Sequence, residues 1–136
     1  MKTLKTITQL LLAGTLFFTF NSCEKDKHIP PSMSLKTTAG YTSANSTVAK
    51  NTAVKVGIIA DKVEDDMVSF NVSYAFDGAT TTTSLSTTTL TGAQQQHLDV
   101  DVPFTTRGVS GSEKWIFTIT DADGNTAQQQ IVLTVN

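Results

Sequence analysis

The chain has 136 residues, with ten lysines and arginines against twelve aspartates and glutamates and a formal net charge of −2. The basic residues are scattered, which excludes the clustered cationic footprint that phosphate backbones require, so no nucleic-acid partner is expected. A single cysteine excludes an internal disulfide framework, and one domain of this length buries roughly two-thirds of its unfolded surface without one.

At the N-terminus, Lys2 and Lys5 precede an apolar stretch from Ile7 to Phe20 that is broken only by uncharged Thr and Gln, and Asn21, Ser22 and Cys23 follow. Positive, apolar and small residues in that order form a secretory signal peptide. The stretch is about 14 residues, short of the about 20 needed to span a hydrocarbon core. Residues 1–22 are therefore expected to be cleaved, leaving eight basic against twelve acidic residues, net −4. Cys23 lies directly after the apolar stretch, follows the small Ser22 and precedes a polar tether, which points to lipidation of its thiol. Asn21-Ser22-Cys23 followed by Glu24-Lys25-Asp26 resembles the bacterial lipoprotein signal, and more narrowly the form common in Bacteroidetes, with Phe20 where that family usually has Leu. The resemblance implies a palmitate-type anchor on Cys23 in the bacterial outer membrane. Glu24 and Asp26 imply the cell surface, with the periplasmic face as the alternative. Two or three acyl chains hold a protein permanently where one holds it only marginally.

Residues 23–32 read as the lipidated cysteine and a flexible tether, with Pro30-Pro31 keeping it extended. His28 lies in it without other ligand types at metal-site spacing. From Met33 the pattern is that of strands. Weak ones are expected near Met33–Thr37 and Ser46–Ala49. Strong alternation follows at Val54, Val56, Ile58, Ala60 and again at Val68, Phe70, Val72, Tyr74, Phe76. The threonine-rich segment Thr80–Thr91, relieved by Leu85 and Leu90, favours extended backbone through β-branching and reads as a polar edge strand or a modified strip. Alternation resumes at Leu98, Val100, Val102, Phe104, then Trp115, Phe117, Ile119, and last Gln129, Ile131, Leu133, Val135. Asp77-Gly78 and Asp123-Gly124 are turn pairs; Val63–Asp66 and Arg107–Ser112 read as loops. No segment carries a helical stripe.

About seven short strands make the chain all-β: a single Ig-like antiparallel β-sandwich over residues 33–136. The antibody disulfide is impossible, and Trp115 falls on the penultimate strand and not the third, so a sandwich held by aliphatic and aromatic packing alone is expected. Gly40-Tyr41-Thr42-Ser43 ahead of Thr47-Val48, and the run Glu113 to Asn125, resemble the opening and closing motifs of small Ig-like lipoprotein domains of Bacteroidetes. The resemblance covers nearly all of 33–136 and implies fold, since that family is largely without assigned function and offers no catalytic residues to carry over.

No catalytic set is expected. His97, the domain's one histidine, should face solvent beside Asp99 and Asp101, with no nucleophile elbow to serve it. Asp121, Asp123 and Asn125 are weak calcium candidates, because the bidentate acid expected further on is missing; no metal or cofactor is favoured. The aromatics Phe70, Tyr74, Phe76, Phe104, Trp115 and Phe117 take the core phase, which leaves Tyr41 as the one ligand-facing ring. The function expected is a membrane-anchored, non-catalytic binding or accessory domain, monomeric, with a glycan or envelope protein as partner. Alternatives are an envelope spacer without ligand and, least favoured, a hydrolase.

Overall fold

Period-two alternation commits each strand to one buried face, and two sheets bury those faces against each other. The computed structural model describes residues 27–136; the expected signal peptide 1–22, Cys23 and residues 24–26 of the expected tether lie outside the described residues. The strands are β1 (Ser32–Leu35), β2 (Ser46–Val48), β3 (Ala53–Asp61), β4 (Met67–Phe76), β5 (Thr83–Thr89), β6 (His97–Thr105), β7 (Gly111–Asp121) and β8 (Thr126–Val135). One sheet has the order β1-β3-β6 and the other β2-β8-β7-β4-β5. This is an Ig-like β-sandwich with β3 and β6 on one side, β8, β7 and β4 on the other, and β5 as the added edge of variable-type domains. A single 3₁₀ turn, Gly92–Gln95, which no periodicity announced, joins β5 to β6.

One expectation about pairing changes. The sandwich is not wholly antiparallel: β2 runs parallel to β8. The first strand is divided between the sheets, with β1 antiparallel to β3 and the chain then crossing over. Gly40 turns the crossing at φ 92°, a conformation that glycine adopts without steric cost. Asn45 then accepts the Val132 N–H at 2.8 Å, extending the β8 ladder one step before β2 begins. In β4, a register irregularity between Met67 and Ser69 shifts the phase, so Met67 and not Val68 is fully buried.

The tether is less free than its composition suggests. Glu64 accepts the backbone N–H groups of Lys27 at 3.2 Å and Ile29 at 3.1 Å, and Pro31 is buried.

The core runs through Val54, Val56, Ile58, Phe70, Val72, Trp115, Phe117, Ile119, Ile131 and Leu133. Each fully buried aliphatic or aromatic side chain contributes roughly 1.5–3 kcal/mol. Tyr74, Phe76 and Phe104, expected inside, are only half-buried. They stand at one end of the sandwich as a chain of rings: Phe104 stacks on Trp115 at 3.8 Å, Tyr74 lies 5.5 Å from Trp115 and 4.6 Å from Phe76. The Arg107 guanidinium covers Phe76 at 4.1 Å.

Packing is not by apolar groups alone. The inward stripe of β7 reads Glu113, Trp115, Phe117, Ile119, Asp121, and both carboxylates that end it are buried, at 0% and 1% exposure. Glu113 Oε1 accepts the Arg107 backbone N–H at 2.7 Å and its Nε–H at 3.2 Å, while Oε2 accepts the Trp115 indole N–H at 3.2 Å. Arg107 continues outward to Asp77 through two bonds of 2.8 and 2.9 Å. Asp77 also accepts the Ser112 N–H at 3.0 Å, so Ser112 lies in β7 instead of the expected loop. Asp77 and Gly78 both take positive φ, 54° and 78°, the geometry of a type I′ turn.

Removing Glu113 strands three donors in the interior. Glu113→Ala is expected to destabilise the fold by about 3–5 kcal/mol, the cost typical of deleting one partner of a buried charge pair. Lys114→Ala, one residue along on the outer face, stays within about 0.5 kcal/mol of the parent. Urea denaturation of both variants checks this; equal midpoints would refute it.

Candidate functional site

The outer face of the three-stranded sheet gathers most of the charge on the strands. Beyond β1, the Lys36 N–H donates to the Gly57 carbonyl at 2.9 Å, which lays the lysine stem across Gly57. A Cβ there would fall on the Lys36 Cβ, Cγ and Cδ atoms, so only glycine leaves the path open. Asp101 stands opposite Gly57 in the β3–β6 register. The Lys36 ammonium reaches Asp101 at 2.8 Å and also pairs with Asp99. Lys55 lies 3.8 Å from the other Asp101 oxygen.

Tyr41 belongs to this cluster. Its hydroxyl donates to Asp101 at 2.9 Å, and the Lys55 and Lys36 ammonium groups sit 4.3 and 5.1 Å from the ring centroid. The ring is half-buried, held between cations, and its hydroxyl is engaged. The crossing segment is therefore pinned to the sheet by the residue that sequence alone marked as ligand-facing. The hydrogen bonds of Asp101, and then of Asp99, raise the Lys36 pKa, while those of Lys36, and then of Tyr41, hold Asp101 below the usual carboxylate range. What remains open to a ligand is polar: the carboxylate of Asp99, about half exposed, and the Lys55 ammonium.

His97, Asp99 and Asp101 do share the wet face of β6, but the partner of His97 is Asp61, directly opposite on β3, with Nδ1 and Oδ1 2.7 Å apart. Cross-strand neighbours lie closer than residues two apart on one strand. Both side chains are more than half exposed on a flat sheet face, which gives a water-excluded reaction no shelter.

Asp121, Asp123 and Asn125 lie together in the β7–β8 turn. Asp121 points inward: Oδ1 accepts the N–H groups of Asp123 at 3.1 Å and Asn125 at 2.8 Å, and Oδ2 accepts the Asn125 side-chain amide at 3.0 Å. Both oxygens are engaged in fastening the turn, and no group of three or more His, Cys, Asp or Glu side chains suited to a metal occurs among the described residues. Cys23 lies outside the described residues. Sequence reasoning missed Lys36, Gly57 and the partner of His97 because all three depend on which strand lies beside which.

The threonine-rich segment forms β5, exposed along its whole length at the edge of the five-stranded sheet. Asn71 on β4 donates to Ser84 Oγ, the Ser86 carbonyl and Thr87 Oγ1 at 2.7, 3.0 and 2.8 Å. These bonds hold a register shift in which Leu85 is left out of the pairing. Leu85 is 52% exposed, whereas Leu90, past the strand, is buried.

No protein-family model matches the chain, and no curated protein matches its sequence. Among solved structures, the chain is similar to murine CRIg, at 15% identity over 78% of this chain and 98% of that one, with a TM-score of 0.43. At that TM-score the fold assignment rests on strand order and not on the likeness.

Two outcomes follow from this geometry. Gly57→Ala is expected to lower the melting temperature by evicting Lys36, and Gly57→Ala with Lys36→Ala to lose less than the sum of the single changes, because the collision is gone. Additive losses in thermal melts would rule out the packing role of Gly57. Asp77 is held below its ordinary value by Arg107 first and the Ser112 N–H next, and Asp101 by Lys36 first. Carboxyls lowered in the folded state stabilise it fully above the unfolded value, about 4, and that contribution disappears as pH falls through and below it. Melting temperature should drop steeply below about pH 4, and the Asp77→Asn, Asp101→Asn double variant should show a shallower acid slope; identical slopes would contradict it.

Proposed function

We propose that the protein is a membrane-anchored lipoprotein that presents a non-catalytic Ig-like binding or accessory domain at the cell envelope. The observation that carries the reading is the order of the first residues: cations, an uncharged apolar stretch, Ser22 and then the chain's sole cysteine. The tether supports it. Residues 27–31 enter the sandwich beside Glu64, at the end formed by the β3–β4 and β7–β8 connections.

On this reading the lipid on Cys23 places the domain on the bacterial outer membrane, at the cell surface or its periplasmic face, in the manner of the Bacteroidetes lipoproteins that the signal resembles. The partner is a glycan or an envelope protein, met by the Asp99 and Lys55 charges around Tyr41. A second reading has its own support. Tyr41, Asp101 and Lys36 satisfy one another, as a spacer without ligand would require. Capture of an envelope component by the wild-type domain and its loss on Asp99→Asn with Lys55→Ala separates the binder from the spacer.

Replacing the cysteine tests the anchor directly. Cys23→Ser is expected to move the protein from the membrane pellet to the soluble fraction and to abolish incorporation of labelled fatty acid. Retention of both pelleting and label in that variant would disprove anchoring through Cys23.

A further inference from the structure

The two sheets present four edges, and three carry the usual protections against pairing with another chain. The β1 edge is four residues long, follows Pro30-Pro31, and has the Met33 carbonyl covered by the Gln129 amide at 3.0 Å. The β2 edge is three residues long. The β6 edge carries Asp99, Asp101 and Pro103. The β5 edge differs from all of these. It is seven residues long and exposed throughout. It lies inside a stretch, Gly78 to Gln96, that contains no charged residue and no proline. Its one irregularity, the register shift at Leu85, leaves Ser86–Thr89 as a regular run. The shift also leaves Leu85 exposed, and among the large apolar side chains exposed in the described residues it is the one that lies on a strand.

We propose that β5 is a self-association edge, through which two copies of the chain pair antiparallel about a two-fold axis near Ser86–Thr89 and join their five-stranded sheets into one. A second copy fits better than an unrelated strand for three reasons. An antiparallel pair of identical strands is self-complementary in backbone donors and acceptors, and the two-fold closes the assembly. A chain of net negative charge meets its own copy here without bringing like charges together, because the edge has none. Threonines and serines set opposite threonines and serines form favourable cross-strand pairs, and Leu85 of each copy loses exposed surface against the other. The expectation of a monomer took no account of edges, which only the strand order reveals. The proposal is independent of the lipid anchor and of any ligand.

Disulfide trapping in the full chain tests it. Ser86→Cys, Thr87→Cys and Thr88→Cys are made singly, expressed in intact cells and oxidised, with the wild type reporting any contribution from Cys23 and Val109→Cys reporting random collision from an exposed site off the strand. At least one of the three β5 cysteines is expected to give a disulfide dimer several-fold above both controls. Adding Thr89→Lys, which places a charge on the edge at an exposed position, should reduce that dimer several-fold while leaving the far-UV circular dichroism of the folded domain unchanged. No dimer from any β5 cysteine, an equal yield from Val109→Cys, or a yield indifferent to Thr89→Lys would each overturn the proposal.

Discussion

A carboxylate inside a β-sandwich is costly unless its oxygens are satisfied, and Glu113 is satisfied by groups from its surroundings in a way that fixes them. Its Oε1 takes the backbone and guanidinium of Arg107, and its Oε2 takes the Trp115 indole. Arg107 thereby holds the β6–β7 connection against the sheet and hands on to Asp77, which holds the β4 turn and the first residues of β7. One buried side chain thus ties the β6–β7 connection to the β4–β5 turn at one end of the molecule. The aromatic rings beside it complete the closure: Trp115 is positioned by the same carboxylate and stacks on Phe104 from the facing sheet. Immunoglobulin-type domains carry a corner tyrosine near the start of the equivalent strand, bonded to the backbone upstream. Here Trp115 stands near that place, bonded to a buried acid.

At the other end of β7, Asp121 repeats the device on a smaller scale. Its inward carboxylate caps the backbone N–H groups of the β7–β8 turn and the Asn125 amide, so the hairpin is specified by a side chain as well as by Gly124. Between the two acids lie Trp115, Phe117 and Ile119, the middle of the core. In place of the covalent cross-link of antibody domains, the sandwich has a polar clasp at each end of one strand and apolar packing between them. The clasps supply direction, because hydrogen bonds to a buried acid have few alternative partners, whereas apolar packing alone tolerates slippage.

The two outer faces divide the chemistry. The three-stranded sheet concentrates Lys36, Lys55, Asp99 and Asp101 into ion pairs and His97 with Asp61 into a cross-strand hydrogen bond, and it uses Tyr41 to fasten the segment that crosses between sheets. The five-stranded sheet ends in a strand without charge. Recognition through the first face would have to compete with internal ion pairs, while association through the second meets no such competition.

Much was decided by sequence. Alternation in period two set the strands and their inward residues, because a strand's side chains can only point to two faces. Asp-Gly pairs marked two of the turns: Asp77-Gly78 because type I′ geometry excludes most other residues, and Asp123-Gly124 because Gly124 takes φ 88°. The sole cysteine, in its place after the apolar stretch, set the expectation of an anchor. Other features were decided only by tertiary structure. Glu113 reads as a polar residue ahead of an apolar run, and nothing local distinguishes a surface glutamate from one whose ligands arrive from Arg107 and Trp115. Tyr41 reads as a free ring until strand pairing brings Lys36, Lys55 and Asp101 beneath it. The partner of His97 lies 36 residues back in the chain, and no local pattern says that β1 and β2 join different sheets. In each case, pairing energy depends on which strands become neighbours, and that choice is made by burying the whole set of apolar faces at once.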